Sequence, residues 1–310
     1  MSFSQLEQAI LRTTSFFDIF QYPLTSIECW RLMYDPKNKV GAAAFEQVEQ
    51  ALKQLVSKHV LINTLGFWQL KSSQSLFKVR QDRYRLASQK YRRLARWIKA
   101  FTLLSSVRFI AVVNSLGYRN PEKTDDIDLF IVTKQKKIWL TRWWLTGLAK
   151  LFGSRPTITH QQDGLCLSFY LSDNHLALND LMIGDEDVYF HFWFTQMTVL
   201  FNDGVGRELI KANQNWLRYF PNLELSFMPV TPPINLVTRL VRIITSLFTW
   251  RLFNPLARLI QKQLLPSALR KSANQDTSVV LSEEVLKFHN QDRRAYYYGI
   301  WQAKLSSLGI

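Results

Sequence analysis

The spacing of apolar residues predicts helices first and strands second. Leu6, Ile10, Phe16, Phe17 and Phe20 recur at helical intervals, and the Tyr22-Pro23 step stops that helix, because a residue before proline is pushed out of the α region. Thr25 followed by Glu28 has the spacing of a capping box and opens a second helix. A polar connector at 35–39 leads to a third helix over about 42–58, with Phe45, Val48, Ala51, Leu52 and Leu55 on its buried stripe. Two short strands, 60–63 and 67–71, follow across Thr64-Leu65-Gly66.

Residues 75–104 then read as one long helix. Its apolar seam runs through Leu76, Val79, Leu86, Leu94, Trp97, Ile98 and Phe101, beside Lys78, Arg80, Arg83, Arg85, Lys90, Arg92, Arg93, Arg96 and Lys99. Only Asp82 opposes these cations, so the face is either solvated or turned towards phosphate. Next come a buried strand at 109–113, a polar turn opened by Asn114-Ser115, and a second strand carrying Asp126 and Asp128. Side chains alternate along a strand, which puts both carboxylates on one face and Ile127 and Leu129 on the other. Two carboxylates on an otherwise apolar strand are costly unless a cation lies between them or both reach water at the strand end.

A helix at 138–151 ends at Gly153-Ser154-Arg155-Pro156, and a strand follows at 165–171. Its alternation groups Cys166, Ser168 and Tyr170 against Leu165, Leu167, Phe169 and Leu171. A short mixed segment at 176–181 precedes an aromatic-rich helix expected over 187–202. The last third predicts a helix at 236–253, broken by Asn254-Pro255 and continued over 256–265. These shifts of pattern divide the chain into 1–74, a basic connecting helix 75–104, a strand-rich domain 105–231, and a C-terminal helical region 232–310.

Composition narrows the reading. With 47% apolar and 14% aromatic residues, the 310-residue chain is no disordered polymer. Its 39 Lys and Arg against 24 Asp and Glu give a formal charge of +15, which favours polyanionic partners without choosing among them. Cys29 and Cys166 lie far apart, so neither a disulfide framework nor a zinc site is encoded, and His160, His175 and His191 have no metal-ligand spacing. The N-terminus lacks the basic segment and apolar run of a signal peptide, and a cytoplasmic location is expected. Arg239, Arg242 and Arg251 interrupt the apolar C-terminal helix, and one arginine near a membrane midplane costs roughly 2.5–3.5 kcal/mol on insertion scales. Basic residues on an apolar helix would suit a membrane interface, but packing across the preceding domain is the simpler expectation, so membrane contact is not expected. Late in the chain, His289 and Asp292 beside Arg293 and Arg294 either cap the last helix through Asp292 or serve a nucleotide site.

Val113, Asn114-Ser115, the loop 116–125 and Asp126-Ile127-Asp128-Leu129 resemble the signature of the nucleotidyltransferase superfamily related to DNA polymerase β and the aminoglycoside nucleotidyltransferases. Asn114 stands where that family has Gly. The order helix, helix, helix, hairpin at the N-terminus is similar to a winged helix. On its third helix Glu46 and Glu49 accompany Lys53 and Lys58, which is less basic than a reader of the major groove. Residues 17–25, 114–130, 165–168 and 286–290 together resemble a group of bacterial proteins joining a winged helix to a nucleotidyltransferase domain. The resemblance implies an α+β chain: an N-terminal winged helix, a nucleotidyltransferase-like mixed sheet with flanking helices, and a C-terminal helical region.

It also implies that Asp126 and Asp128 hold two Mg²⁺ ions, and that Asn114, Ser115, Arg119 and Lys123 contact the phosphates of a nucleoside triphosphate. Family members carry a third carboxylate on the next strand. Here Ser168 takes that place, while Asp163 and Asp173 flank the strand, so the two-metal site is incomplete. Two functions remain open. One is Mg²⁺-dependent transfer of a nucleotidyl group to a hydroxyl on a small molecule, protein or RNA. The other is a catalytically silent module that binds nucleotide or nucleic acid.

Overall fold

The computed structural model describes residues 2–71, 74–157, 161–229 and 235–310. His160 and the expected domain boundary at 232 lie outside them.

Local signals set the N-terminal unit. Helix α1 (Gln5–Asp18) starts where the Ser4 hydroxyl accepts the Glu7 N–H at 3.2 Å and the Glu7 carboxylate accepts the Ser4 N–H at 2.7 Å. After β1 (Leu24–Thr25), the same reciprocal bonds between Thr25 and Glu28 open α2 (Ser26–Arg31). Helix α3 (Phe45–Ser57) begins later than its apolar stripe suggests. The Ala43 N–H is held by the Asn222 side chain at 2.9 Å, so the chain stays extended until Gln47 can reach back to the Ala44 N–H. Strands β2 (Leu61–Thr64) and β3 (Phe67–Leu70) turn at Leu65 and Gly66, both in the left-handed region that a two-residue hairpin requires. The three strands form an antiparallel sheet in the order β1-β3-β2.

Helix α4 (Phe77–Phe101) leads into the second sheet. Strand β4 (Val107–Val112), the one-turn helix α5 (Asn114–Gly117), β5 (Ile127–Thr133), α6 (Ile138–Leu151) and β6 (Leu165–Ser172) follow in order. Because α6 carries the chain back across the sheet, β5 and β6 are parallel; the other pairings are antiparallel. After a 3₁₀ turn at Asn179–Leu181, α7 (Val188–Thr195) stops well short of residue 202. Residues expected to be helical form β7 (Thr198–Asn202), because the open edge of β4 offers Ala111 as a partner for Val199. Short helices α8 (Gly206–Ala212) and α9 (Gln214–Leu217) follow.

The C-terminal third is not wholly helical. Helix α10 (Leu236–Phe248), a 3₁₀ turn at Arg251–Phe253, α11 (Asn254–Leu264) and α12 (Ser267–Ser272) are followed by strands β8 (Val279–Leu281) and β9 (Val285–Phe288) and by α13 (Arg294–Leu308). The two strands are too short to display a period, and it is β6 that recruits β9. The six-stranded sheet runs β7-β4-β5-β6-β9-β8. Asn254-Pro255 starts α11 instead of ending a helix, since proline in the first turn gives up no hydrogen bond.

One face of this sheet, with Ile110, Leu129 and Ile131, packs under Leu94, Trp139 and Leu145. The other, with Phe109, Phe130 and Phe169, packs under Phe190, Trp193 and Phe194. A third core joins the N-terminal unit to α7 and α13, where Phe192, Trp301 and Leu305 meet Phe16, Phe17 and Tyr34. The chain is therefore a mixed α+β protein, a mixed sheet with flanking helices whose C-terminal end closes back on its N-terminal unit.

Candidate functional site

The site is built where β4 gives way to α5. Asn114 sits at φ +54°, a conformation that asparagine tolerates better than most side chains. There its amide N–H donates to the Asp128 carboxylate at 2.8 Å, and its carbonyl oxygen accepts from the Tyr189 hydroxyl at 3.3 Å. Asp126 and Asp128 do share one face. The parallel register then sets Cys166 level with Asp128. Ligand atoms of Asp126, Asp128 and Cys166 all lie within 4.8 Å of one another, the one such grouping of metal-ligating side chains among the described residues.

A bulge interrupts the alternation expected for β6. Between the pairs Asp128↔Cys166 and Phe130↔Phe169, β5 advances two residues while β6 advances three. Strict alternation is lost, and Tyr170 joins Leu165 and Leu167 in the core beneath α6 while Phe169 and Leu171 enter the opposite one. Cys166, level with Asp128, lies in the cluster, and Ser168, the place expected for a third acid, sits two residues further along β6. The Cys166 thiol donates to the Ser168 hydroxyl at 3.3 Å, and that hydroxyl pairs with His289 Nε2 at 3.2 Å.

Electrostatics mark the cluster as short of positive charge. Burial, then the charge of Asp128, raises Asp126 well above the ordinary carboxylate range. Asp128 is raised by burial too, against the opposing pull of the Asn114 amide. Burial and the two acids push the Cys166 thiol up, so it stays protonated and acts as a donor. Two oxygen ligands with raised pKa values suit a hard divalent cation, which would stand in for the proton that burial favours there. A neutral thiol is a poor ligand for Mg²⁺, so any Mg²⁺ here would rest on Asp126 and Asp128.

The carboxylates open into a cavity of about 720 Å³. Tyr189 and Trp193 of α7 form one wall, and residues 287–294 with Tyr297 form another. Tyr189 and Tyr297 stack with ring centroids 5.4 Å apart and planes 9° from parallel. Burial lowers the Lys287 ammonium to about 8, while Asp292, 3.3 Å away, partly restores it. Arg294 bridges Asp292 and Asp187, and the Asp292 carboxylate also accepts the Arg294 N–H at 3.0 Å, at the start of α13. Burial holds His289 down to about 3, so its imidazole is neutral. These residues come from the stretch that read as a helix cap or a nucleotide site, some 160 positions after the Asp126–Asp128 motif.

Not every expected phosphate contact reaches this cavity. Asn114 lines it, but the Ser115 hydroxyl donates to Asp125 at 2.7 Å and ties the loop instead. Arg119 turns to the Tyr84 hydroxyl at 2.9 Å, and the Lys123 side chain is exposed away from it. Asp163 is held by Lys90 and Arg93, and Asp173 accepts the Gln135 N–H, so neither supplies a third ligand.

The basic helix α4 is also more tied down than its composition suggests. Arg80 pairs with Glu28 at 2.6 Å and lies over the Tyr22 ring; Arg83 meets Glu122 at 2.9 Å. Lys90, 1% exposed, donates to the Asp125 carbonyl at 2.6 Å and to Asp163 at 2.9 Å. Lys78 and Arg85 pair with Asp82. Arg92, Arg96 and Lys99 keep exposed side chains. Among the histidines, His175 meets Asp180 and Glu284, while His191 pairs with the Tyr34 hydroxyl and stacks on Trp216.

Fold and site together define a mixed α+β protein with a half-buried carboxylate pair at the mouth of an aromatic, cation-bearing cavity. Comparison of the chain with family models, with curated proteins and with solved structures finds no match.

Proposed function

We propose that this protein binds a nucleoside triphosphate with a divalent cation and transfers its nucleotidyl group to an acceptor hydroxyl. The observation that carries the reading is the Asp126–Asp128 pair, whose ligand atoms lie within 4.8 Å at the mouth of a cavity wide enough for a nucleotide. The order of elements from β4 to β6 agrees with a nucleotidyltransferase core, and that of the N-terminal unit agrees with a winged helix.

Asp126 and Asp128 would hold the cation, Mg²⁺ by its preference for oxygen, and when bound it would neutralise the triphosphate charge. Asn114 fixes the Asp128 carboxylate, and the paired rings of Tyr189 and Tyr297 line the wall available to a base. In the transfer, the acceptor oxygen bonds to the α-phosphorus, the bond to the β-phosphate oxygen breaks, and pyrophosphate leaves. The acceptor proton passes to water in the open cavity, because Asp126 and Asp128 are taken up in holding the cation.

A second reading rests on Cys166. A protonated thiol in the place of a third carboxylate leaves one cation position weak, which favours a silent module that senses nucleotide. One experiment separates the two: Mg²⁺- and Mn²⁺-dependent binding of the four nucleoside triphosphates, together with pyrophosphate release across a panel of acceptors, in wild type and Asp126→Asn/Asp128→Asn. Metal-dependent binding that the double variant loses, with pyrophosphate release, supports transfer. Binding without release supports the sensor, and no metal-dependent binding in the wild type removes both.

A further inference from the structure

A second cavity, of about 570 Å³, meets the first at Asp126 and Cys166, which line both. Its far wall carries Arg142, Thr146, Lys150 and Arg155. Arg142 stacks on the Phe288 ring at 4.3 Å and donates through Nη1 to Gln261 at 2.6 Å. Yet Arg142 Nε and Arg155 Nη1 are buried atoms with no hydrogen-bond partner, whereas the nearby Thr146 and Tyr170 hydroxyls serve each other. Burial lowers Arg142 to about 10, with Arg155 adding to the effect, and Asp126 is the only acid lining the cavity among the described residues. Half-buried guanidinium groups without counter-ions are costly, and two unpartnered guanidinium nitrogens facing one space indicate a missing anionic partner.

We propose that this cavity binds the phosphate group of the acceptor, a phosphate monoester whose hydroxyl is thereby directed at Asp126. The acceptor role rests on the transferase reading; the anion site does not. The test is calorimetric titration of the full-length protein with inorganic phosphate, with neither metal nor nucleotide present. Saturable binding is expected, weakened about tenfold or more by Arg142→Met and by the more exposed Arg155→Met, each removing a charge-assisted bond. Asp126→Asn should leave it intact or tighten it. Absence of saturable binding, or binding that neither arginine variant weakens, overturns the site. Failure of metal–nucleotide binding with phosphate binding intact would overturn only the acceptor role.

An independent feature lies on the outer surface. Helix α10 is packed with its polar side inward: Arg242 donates to the carbonyls of Thr102, Leu104 and Val107 and to Asp203. Its apolar side faces out, with Leu236, Leu240, Ile243 and Leu247 at 72%, 55%, 66% and 70% exposed. Leu256, Leu259 and Leu264 of α11 are exposed, as are Trp143, Trp144 and Trp250. Residues 225–275 contain seven Lys and Arg and no acid; Arg242 and Arg258 are paired with Asp203 and Glu283, while Arg239, Arg270 and Lys271 are exposed. No helix among the described residues is long and apolar enough to cross a membrane.

An apolar ledge with tryptophans and an excess of exposed cations fits an anionic bilayer surface, whereas two copies of this chain would bring like charges together. We infer that α10 and α11 lie in the interface of an anionic membrane. Cosedimentation with phosphatidylcholine vesicles, with and without phosphatidylglycerol, tests this. Binding to the anionic vesicles is expected to fall about tenfold or more in Ile243→Asp/Leu247→Asp and in Arg270→Glu/Lys271→Glu. No binding, or binding indifferent to the aspartates, overturns it. So does self-association abolished by the aspartates without vesicle binding, which would give the face to a second copy.

Discussion

Replacing Asp126 by Asn should make the metal-free protein more stable, an uncommon outcome for a residue at a functional site. The carboxylates of Asp126 and Asp128 lie within 4.8 Å, and at an effective dielectric of about 20 their repulsion is roughly 3 kcal/mol when both are ionised. Burial raises the folded-state pKa of Asp126 above its unfolded value, with the Asp128 charge adding to it. For such an acid the folded state holds the proton more tightly. The wild type therefore loses stability as pH rises from about 4 through the raised pKa, and the loss is complete above it. Asn cannot ionise and escapes that loss. Urea unfolding in EDTA should show Asp126→Asn more stable by about 1–3 kcal/mol at pH 8, with the difference shrinking as pH falls towards 4. Millimolar Mg²⁺ or Mn²⁺ should reverse the order by stabilising the wild type alone. A metal-free variant that is less stable than wild type at pH 8, by the same margin as at acid pH, would refute the account of the cluster as a cation-starved site.

Cys166→Asp places a third carboxylate in the cluster; metal affinity should rise about tenfold or more while metal-free stability falls at pH 8, read by Mn²⁺ titration and urea unfolding. Arg80→Ala leaves Glu28 half-enclosed without its guanidinium partner and should cost roughly 2–4 kcal/mol in equilibrium unfolding. Lys90→Met removes the contacts that hold the Asp125 carbonyl and Asp163; it should weaken metal binding about tenfold, whereas Arg119→Ala and Lys123→Ala should leave metal–nucleotide affinity within about twofold, since neither faces the cavity. Equal losses from all three would restore the phosphate role of Arg119 and Lys123.

What the chain determines by itself is local. Thr25 with Glu28 fixes a helix start, Leu65-Gly66 a hairpin, and the alternation around Ile127 the shared face of Asp126 and Asp128. Each follows from bonds or directions within a few residues. Tertiary structure decided the rest, because the partners are distant. Cys166 reaches the carboxylates through the parallel register, and a bulge beyond it that no period announces turns Tyr170 into the core beneath α6. Residues 198–202 are a strand because β4 has a free edge, and residues 287–294 wall the cavity because β9 pairs with β6. The pattern of 236–248 shows an amphipathic helix but not which side turns inward. That was settled by the Thr102, Leu104 and Val107 carbonyls in the passage from α4 to β4, which accept from Arg242 and draw the polar side in.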